Sequence, residues 1–143
     1  MLLKELLKKE YTEFNCELPD WTTCLSYVGS ILEKNEVMNH QYTEDMISLV
    51  KELGPYIVVT KNIALAHARP NGNVYKNAIA LLTLKEGVNF GNESNDPVYI
   101  VFAIAAKTDS DHLYLFQLLA EYLSEEKNIE IIKQANKYEE LCL

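Results

Sequence analysis

Residues 98–105, VYIVFAIA, form an unbroken apolar run of strand length, and residues 77–84, NAIALLTL, form a second. A strand with one wet face alternates polar and apolar residues. A run without that alternation has no wet face, so each is expected to be buried on both sides, in a sheet with helices over both faces. The linking stretch EGVNFGNESNDP is polar and rich in Gly and Asn, and reads as a loop. Upstream, residues 61–70, KNIALAHARP, carry a shorter apolar run that delivers His67 before breaking at Arg69-Pro70 and Asn71-Gly72-Asn73. That run is predicted as a strand ending on the histidine. Residues 56–60, YIVVT, are β-branched and aromatic and are also predicted as a strand. Residues 11–16, YTEFNC, suit an edge strand.

Helical patterns lie on either side of this strand region. Residues 2–9 suit a short amphipathic helix. Asp20 is a good N-cap for a helix over residues 21–34, whose Trp21, Cys24, Leu25, Val28, Ile31 and Leu32 make one stripe. A second helix opens at Tyr42-Thr43, buries Met46, Ile47, Val50 and Leu53, and stops at Gly54-Pro55. After the last strand, Thr108 with Asp111 approximates a capping box. The helix that follows, about 110–123, is expected to bury Leu113, Phe116, Leu119, Ala120 and Leu123. Ser124 is placed to cap another helix over 125–135, and a short terminal helix carries Tyr138 and Leu141. The fold class is therefore α/β: one domain over residues 1–143, with a central sheet flanked by helices on both faces. Some connections are too short for helical crossovers, so the sheet is expected to be mixed.

The totals exclude several functions. A net charge of -8 does not suit a nucleic-acid binder, which needs a basic face for phosphates. An acidic surface favours encounter with a basic protein partner. The three cysteines, Cys16, Cys24 and Cys142, have no CxxC spacing and give neither a disulfide framework nor a zinc signature. Reduced thiols, a start too charged for a signal peptide and the lack of a long apolar span suit a cytoplasmic protein.

Chemistry centres on two of the three histidines. His67 ends its strand, and His112 falls in the first turn of the helix after residues 98–105. If those strands are neighbours, both imidazoles reach one rim, the place where open α/β sheets hold reactive groups. A neutral imidazole is nucleophilic near pH 7 and can pass a phosphoryl group on through a labile P–N bond. A second imidazole and a helix N-terminus would hold the phosphoryl oxygens. Arg69 is a loop cation within possible reach of phosphate. Lys51, in the last turn of the second helix, could bring charge to the site, although a helix C-terminus favours a surface lysine for its own sake. The plainer alternatives are a hydrogen-bonded rim histidine for His67 and a capping or solvated one for His112. His40 reads as surface. No histidine pair has metal-ligand spacing, no Walker or dinucleotide glycine pattern is present, and no cofactor is implied.

Three stretches carry a family resemblance: YIVVTKNIALAHARP, LLTLKEGVNFGNESNDPVYIVFAIAA and DSDHLYLFQLLAEYLS, preceded by DWTTCLSYVGSILEKNEVMNHQYTEDMISLVKELGPY. Together they resemble the enzyme IIA components of the bacterial sugar phosphotransferase system (PTS), in the mannitol/fructose superfamily and nearest its ascorbate branch. The resemblance implies an α/β phosphocarrier. By the family pattern, His67 takes a phosphoryl group at Nε2 from the phosphocarrier HPr. His112 matches the second site histidine, which steadies that group. A cysteine of a cognate enzyme IIB receives it, and the membrane component IIC spends it on incoming sugar. Two positions depart from the pattern. Ala66 stands where proline usually precedes the histidine, which removes a backbone constraint. Lys51 stands where mannitol-type members have arginine, keeping the charge without the bidentate fork. A second reading is a regulatory module in which the phosphorylation state of His67 switches binding to a partner protein. A third, an unrelated metal-dependent or hydrolytic enzyme, lacks the required motifs.

Overall fold

A computed structural model describes residues 1–143. The two apolar runs pair with each other. Strands β3 (Ala78–Val88) and β4 (Val98–Ala105) are antiparallel, with Leu81 opposite Phe102 and Ala80 opposite Ala103. Strand β2 (Ile63–Ala66) lies parallel to β4, with Ala66 opposite Ala103. Strand β1 (Thr12–Cys16) lies parallel to β3 at the far edge. The order is β1-β3-β4-β2, a mixed sheet as expected. The helices are α1 (Leu3–Leu6), α2 (Trp21–Lys34), α3 (His40–Leu53), α4 (Asp109–Leu123) and α5 (Glu126–Gln134).

Side-chain size alternates along the buried strands where polarity does not. On one face stand Ala64, Ala66, Ala78, Ala80, Ala103 and Ala105, with Leu82, Val98 and Val101 further along the strands, packed with Leu25, Val28, Leu32, Met46 and Val50 of α2 and α3. On the other stand Ile63, Leu65, Ile79, Leu81, Phe102 and Ile104, packed with Leu115 and Leu119 of α4 and Ile132 of α5. Small residues let α2 and α3 settle close to the sheet; large ones fill the space under α4 and α5. Burying Phe102 completely contributes roughly 2–3 kcal/mol. Helices α2 and α3 touch closely at Gly29, where an added Cβ would meet Thr43 Cγ2 at 2.6 Å. A side chain there would have to push the two helices apart, at about 1–3 kcal/mol.

Local signals set most helix ends. The Asp20 carboxylate accepts from Thr23 N at 2.8 Å, and Thr108 Oγ1 accepts from Asp111 N at 3.1 Å. Gly54, at φ 88°, ends α3 by donating its N–H to Val50 O, in backbone geometry that suits glycine.

Six expectations need correction. Leu53, expected on the buried face of α3, is 62% exposed. Residues 56–60 form no strand: Gly54-Pro55 throws the chain into turns, so Ile57 and Val58 are buried but irregular. Their β propensity reflects burial, with the sheet edge already occupied by β2. The first helix is a single turn followed by a 3-10 turn over Lys9–Tyr11. Helix α3 begins at His40 because Asn39 caps it, accepting from Tyr42 N at 3.3 Å. Ser124 closes α4 instead of capping α5, its Oγ donating to Glu121 O at 2.6 Å. Finally, α4 buries Leu115 and Leu119, while Leu113 is 61% exposed and Ala120 is exposed. Its inner face is rotated towards His112 and Phe116.

Candidate functional site

Parallel strands end at the same rim. Because β2 and β4 run in register side by side, the chain leaving β2 at Ala66 emerges beside the chain leaving β4 at Ala105. The first exit carries His67, one residue beyond the strand. The second runs into the Thr108 cap and places His112 in the opening of α4. The ring centroids of the two histidines are 5.5 Å apart.

A carbonyl fixes the chemistry of His67. Its Nδ1 lies 2.8 Å from Leu65 O. A carbonyl oxygen only accepts, so Nδ1 bears the proton and the lone pair of the neutral ring sits on Nε2. Nε2 has no hydrogen-bond partner and is not sealed from solvent. Phe116, one turn along α4 from His112, stands edge-on to both rings, with centroids 4.8 Å from His67 and 5.1 Å from His112. Tyr56 closes another side of His67 at 5.4 Å. His112 has its own peculiarity: Nε2 is buried and has no partner. A buried polar atom left unpaired is costly and calls for an explanation; the hydroxyl of Tyr122, on the same helix but outside the depression, is another.

Burial pushes the pKa of both imidazoles down. For His67 desolvation outweighs the opposing bond to Leu65 O; for His112 desolvation is joined by the charge His67 would carry, against a weaker pull from Asp109. His40 moves the other way, raised by Glu33 and Glu44, which flank its ring at 3.1 Å. The unfolded chain takes up protons at these histidines near 6.5, before folded His67 and His112 do, so their contribution is present above 6.5 and is lost as pH falls below it. In an NMR titration, His67 and His112 are expected to have midpoints below that of His40; the reverse order would contradict this account.

A shallow depression of about 370 Å³ opens over the pair, lined by Leu49, Leu53, Tyr56, Arg69, Pro70 and Asp109 beside the two histidines. Arg69 is its only cation among the lining residues, and it is exposed and free of ion pairs. No group of three or more His, Cys, Asp or Glu side chains is arranged to hold a metal ion.

The chain and its pattern of elements match a known set of proteins. The family model described as "Phosphoenolpyruvate-dependent sugar phosphotransferase system, EIIA 2" matches residues 5–143. The chain belongs to this family. As a member it is a phosphotransferase component. Among curated relatives, the ascorbate-specific PTS EIIA component of Shigella boydii is 30% identical over 111 residues, covering 78% of this chain and 72% of the relative. That of Mycoplasma pneumoniae is 31% identical over 110 residues, covering 76% and 69%. Among solved structures, the mannitol-specific cryptic phosphotransferase enzyme IIA CmtB of Escherichia coli superposes with a TM-score of 0.87 at 23% identity, covering 98% of this chain and 95% of that one. The mannitol enzyme IIA in the complex with phosphorylated enzyme IIB from Escherichia coli superposes at 0.82 and 23% identity, covering 94% of each chain. At these identities the structural likeness establishes the fold.

Within this EIIA, the four residues singled out from sequence are placed differently. His67, His112 and Arg69 line one depression. Lys51 does not. Leu49 and Leu53 face the depression, and Lys51, two residues from each, lies about 200° around the helix from them, exposed on the far side. The positions of α3 that face the site are thus the apolar Leu49 and Leu53, and Lys51 is a surface lysine at a helix C-terminus.

Sequence reading did not assign Phe116 or Tyr42 to the site. The spacing of His112 and Phe116, one helical turn apart, could have shown the first. Tyr42 stood only as the opening residue of the second helix. It is 1% exposed, and its hydroxyl lies 2.7 Å from Ile104 O, 3.0 Å from Ala68 N and 3.1 Å from Ala68 O.

Proposed function

We propose that this chain is a phosphohistidine carrier of an ascorbate-type transport system. It takes a phosphoryl group from phospho-HPr onto Nε2 of His67 and hands it to a cysteine of a cognate enzyme IIB. The observation that carries the reading is a nucleophilic histidine of fixed tautomer beside a second histidine with an unpaired buried nitrogen.

The Nε2 lone pair of His67 attacks phosphorus in line with the donor's P–N bond. That bond breaks as the new one forms, and the donor imidazole leaves with its electron pair. Nδ1–H stays on Leu65 O throughout, so the phosphorylated ring needs no rotation. His112 then supplies a donor to a phosphoryl oxygen from the neighbouring ring. Burial keeps both rings neutral before the phosphoryl group arrives, and its negative charge favours protonation of His112 afterwards. In the onward step a thiolate attacks phosphorus, an S–P bond forms and the His67 P–N bond breaks. Phosphoryl transfer of this kind depends mainly on position and electrostatics.

Leu53 and Tyr56, 62% and 39% exposed, give the depression an apolar rim suited to protein partners. No helix is long and apolar enough to cross a membrane, and the proposed place of action is the cytoplasm, with a membrane component IIC as final recipient. The test is incubation with enzyme I, HPr and phosphoenolpyruvate. One acid-labile, base-stable phosphate per chain is expected, and it should be discharged on adding an ascorbate-type IIB. An acid-stable label, or one that no such IIB removes, would refute the proposal.

A further inference from the structure

We infer that Tyr42 is the positioning residue of His67, holding the histidine's backbone from the next layer of the fold. The inference rests on His67 being the phosphoryl acceptor, but its geometry can be tested separately.

His67 lies between two kinds of support. On its N-terminal side it follows β2, whose ladder to β4 ends at Ala66. On its C-terminal side there is no ladder, and the chain must turn into Arg69-Pro70. Ala68, the next residue, is buried there, and its N–H would be unpaired without the Tyr42 hydroxyl. That oxygen accepts the Ala68 N–H at 3.0 Å and is placed to donate its one proton to Ile104 O at 2.7 Å, with Ala68 O a longer alternative at 3.1 Å. One phenol thus ties the histidine's exit to the end of β4, the strand that leads to His112. Burial pushes this phenol up to about 12, so it remains a donor at any physiological pH.

The tie also explains how the loop tolerates alanine before the histidine. Ala66 leaves φ free where a proline would fix it. Here the rigidity comes from a side chain on α3, acting one residue after the histidine. The Nδ1–Leu65 O contact spans two residues and forms only if the backbone through His67 keeps its course. Releasing Ala68 would let the peptide after His67 swing, and the ring would leave the Leu65 carbonyl.

Tyr42→Phe removes the hydroxyl and keeps the ring. Imidazole 15N NMR should show His67 of the wild-type protein almost wholly in the Nδ1–H form, and that of Tyr42→Phe spread over both tautomers. The initial rate of phosphorylation by phospho-HPr should fall about ten- to a hundred-fold, the range expected when a reacting group is displaced by about an ångström. Met46→Ala, one turn along α3 in the same core, should lower the melting temperature without changing the His67 tautomer. If Tyr42→Phe does not fold, the Ala68 amide of the wild-type protein decides the matter: it should exchange with solvent as slowly as the β4 amides. A wild-type tautomer ratio in Tyr42→Phe, a tautomer change in Met46→Ala, or fast exchange at Ala68 would overturn the inference. If no phosphate is accepted at all, the carrier reading fails while the tautomer and exchange results still decide the role of Tyr42.

Discussion

His67→Ala should accept no phosphate from phospho-HPr. The expected fall in initial rate is at least about four orders of magnitude, the scale seen when an enzyme's covalent nucleophile is removed. The size of the effect reflects how little else could serve. Only Nε2 of His67 combines a free lone pair, a fixed tautomer and access from the depression. His40 is engaged by Glu33 and Glu44, and its raised pKa leaves less of it neutral and nucleophilic. The substitution should be nearly neutral for folding, because the ring makes one hydrogen bond and is only half-buried. Radiolabel transfer with circular dichroism as a control checks both points. A His67→Ala protein that still takes up a full equivalent of phosphate would place the acceptor elsewhere.

His112→Ala should behave differently. The label should still appear on His67, but about a hundred- to a thousand-fold more slowly, as when one preorganised donor to a developing oxyanion is removed. Thermal stability should change little or rise slightly, because the substitution also removes a buried nitrogen with no partner. This combination of slower chemistry without loss of stability is what separates a group kept for the reaction from one kept for the fold. Peptide mapping of the phosphorylated protein identifies the labelled residue. Label at position 112 in the wild-type chain would reverse the two roles.

Much of the architecture can be read from the chain because its signals are local. Asp20, Thr108 and Gly54 each act within one turn, and each ends its helix as expected. The buried runs of β3 and β4 declared a sheet covered on both sides. Their alternation of alanine with Ile, Leu and Phe was also present, but it is a pattern of size, and a reading based on polarity passes over it. YIVVT misled because residues suited to a strand are also suited to a buried turn; only the pairing of β2 with β4 decides between them. The two histidines were legible because they sit at the ends of runs. Their meeting depended on β2 and β4 being parallel neighbours, a long-range fact. Lys51 was a question of which way a helix faces, and Leu49 and Leu53 settle it. Tyr42 is 26 residues from Ala68 and 62 from Ile104, and no local pattern links them.

The outer edge of β2 closes itself. In a strand, the N–H and C=O of alternate residues point to the same side, so Ile63 and Leu65 face away from β4. The Ile63 N–H goes to Thr60 O at 3.2 Å and the Leu65 N–H to Ile57 O at 2.8 Å, while Leu65 O receives His67 Nδ1. An open edge invites another chain to add a strand, and this one has three of its four outward groups taken, which leaves only the Ile63 carbonyl. Proteins that approach the histidine must therefore recognise it through side chains at the end of the sheet, and strand addition along its side is closed to them. The imidazole proposed to carry the phosphoryl group is itself one of the seals, so the strand that presents that ring is kept out of aggregation in part by it.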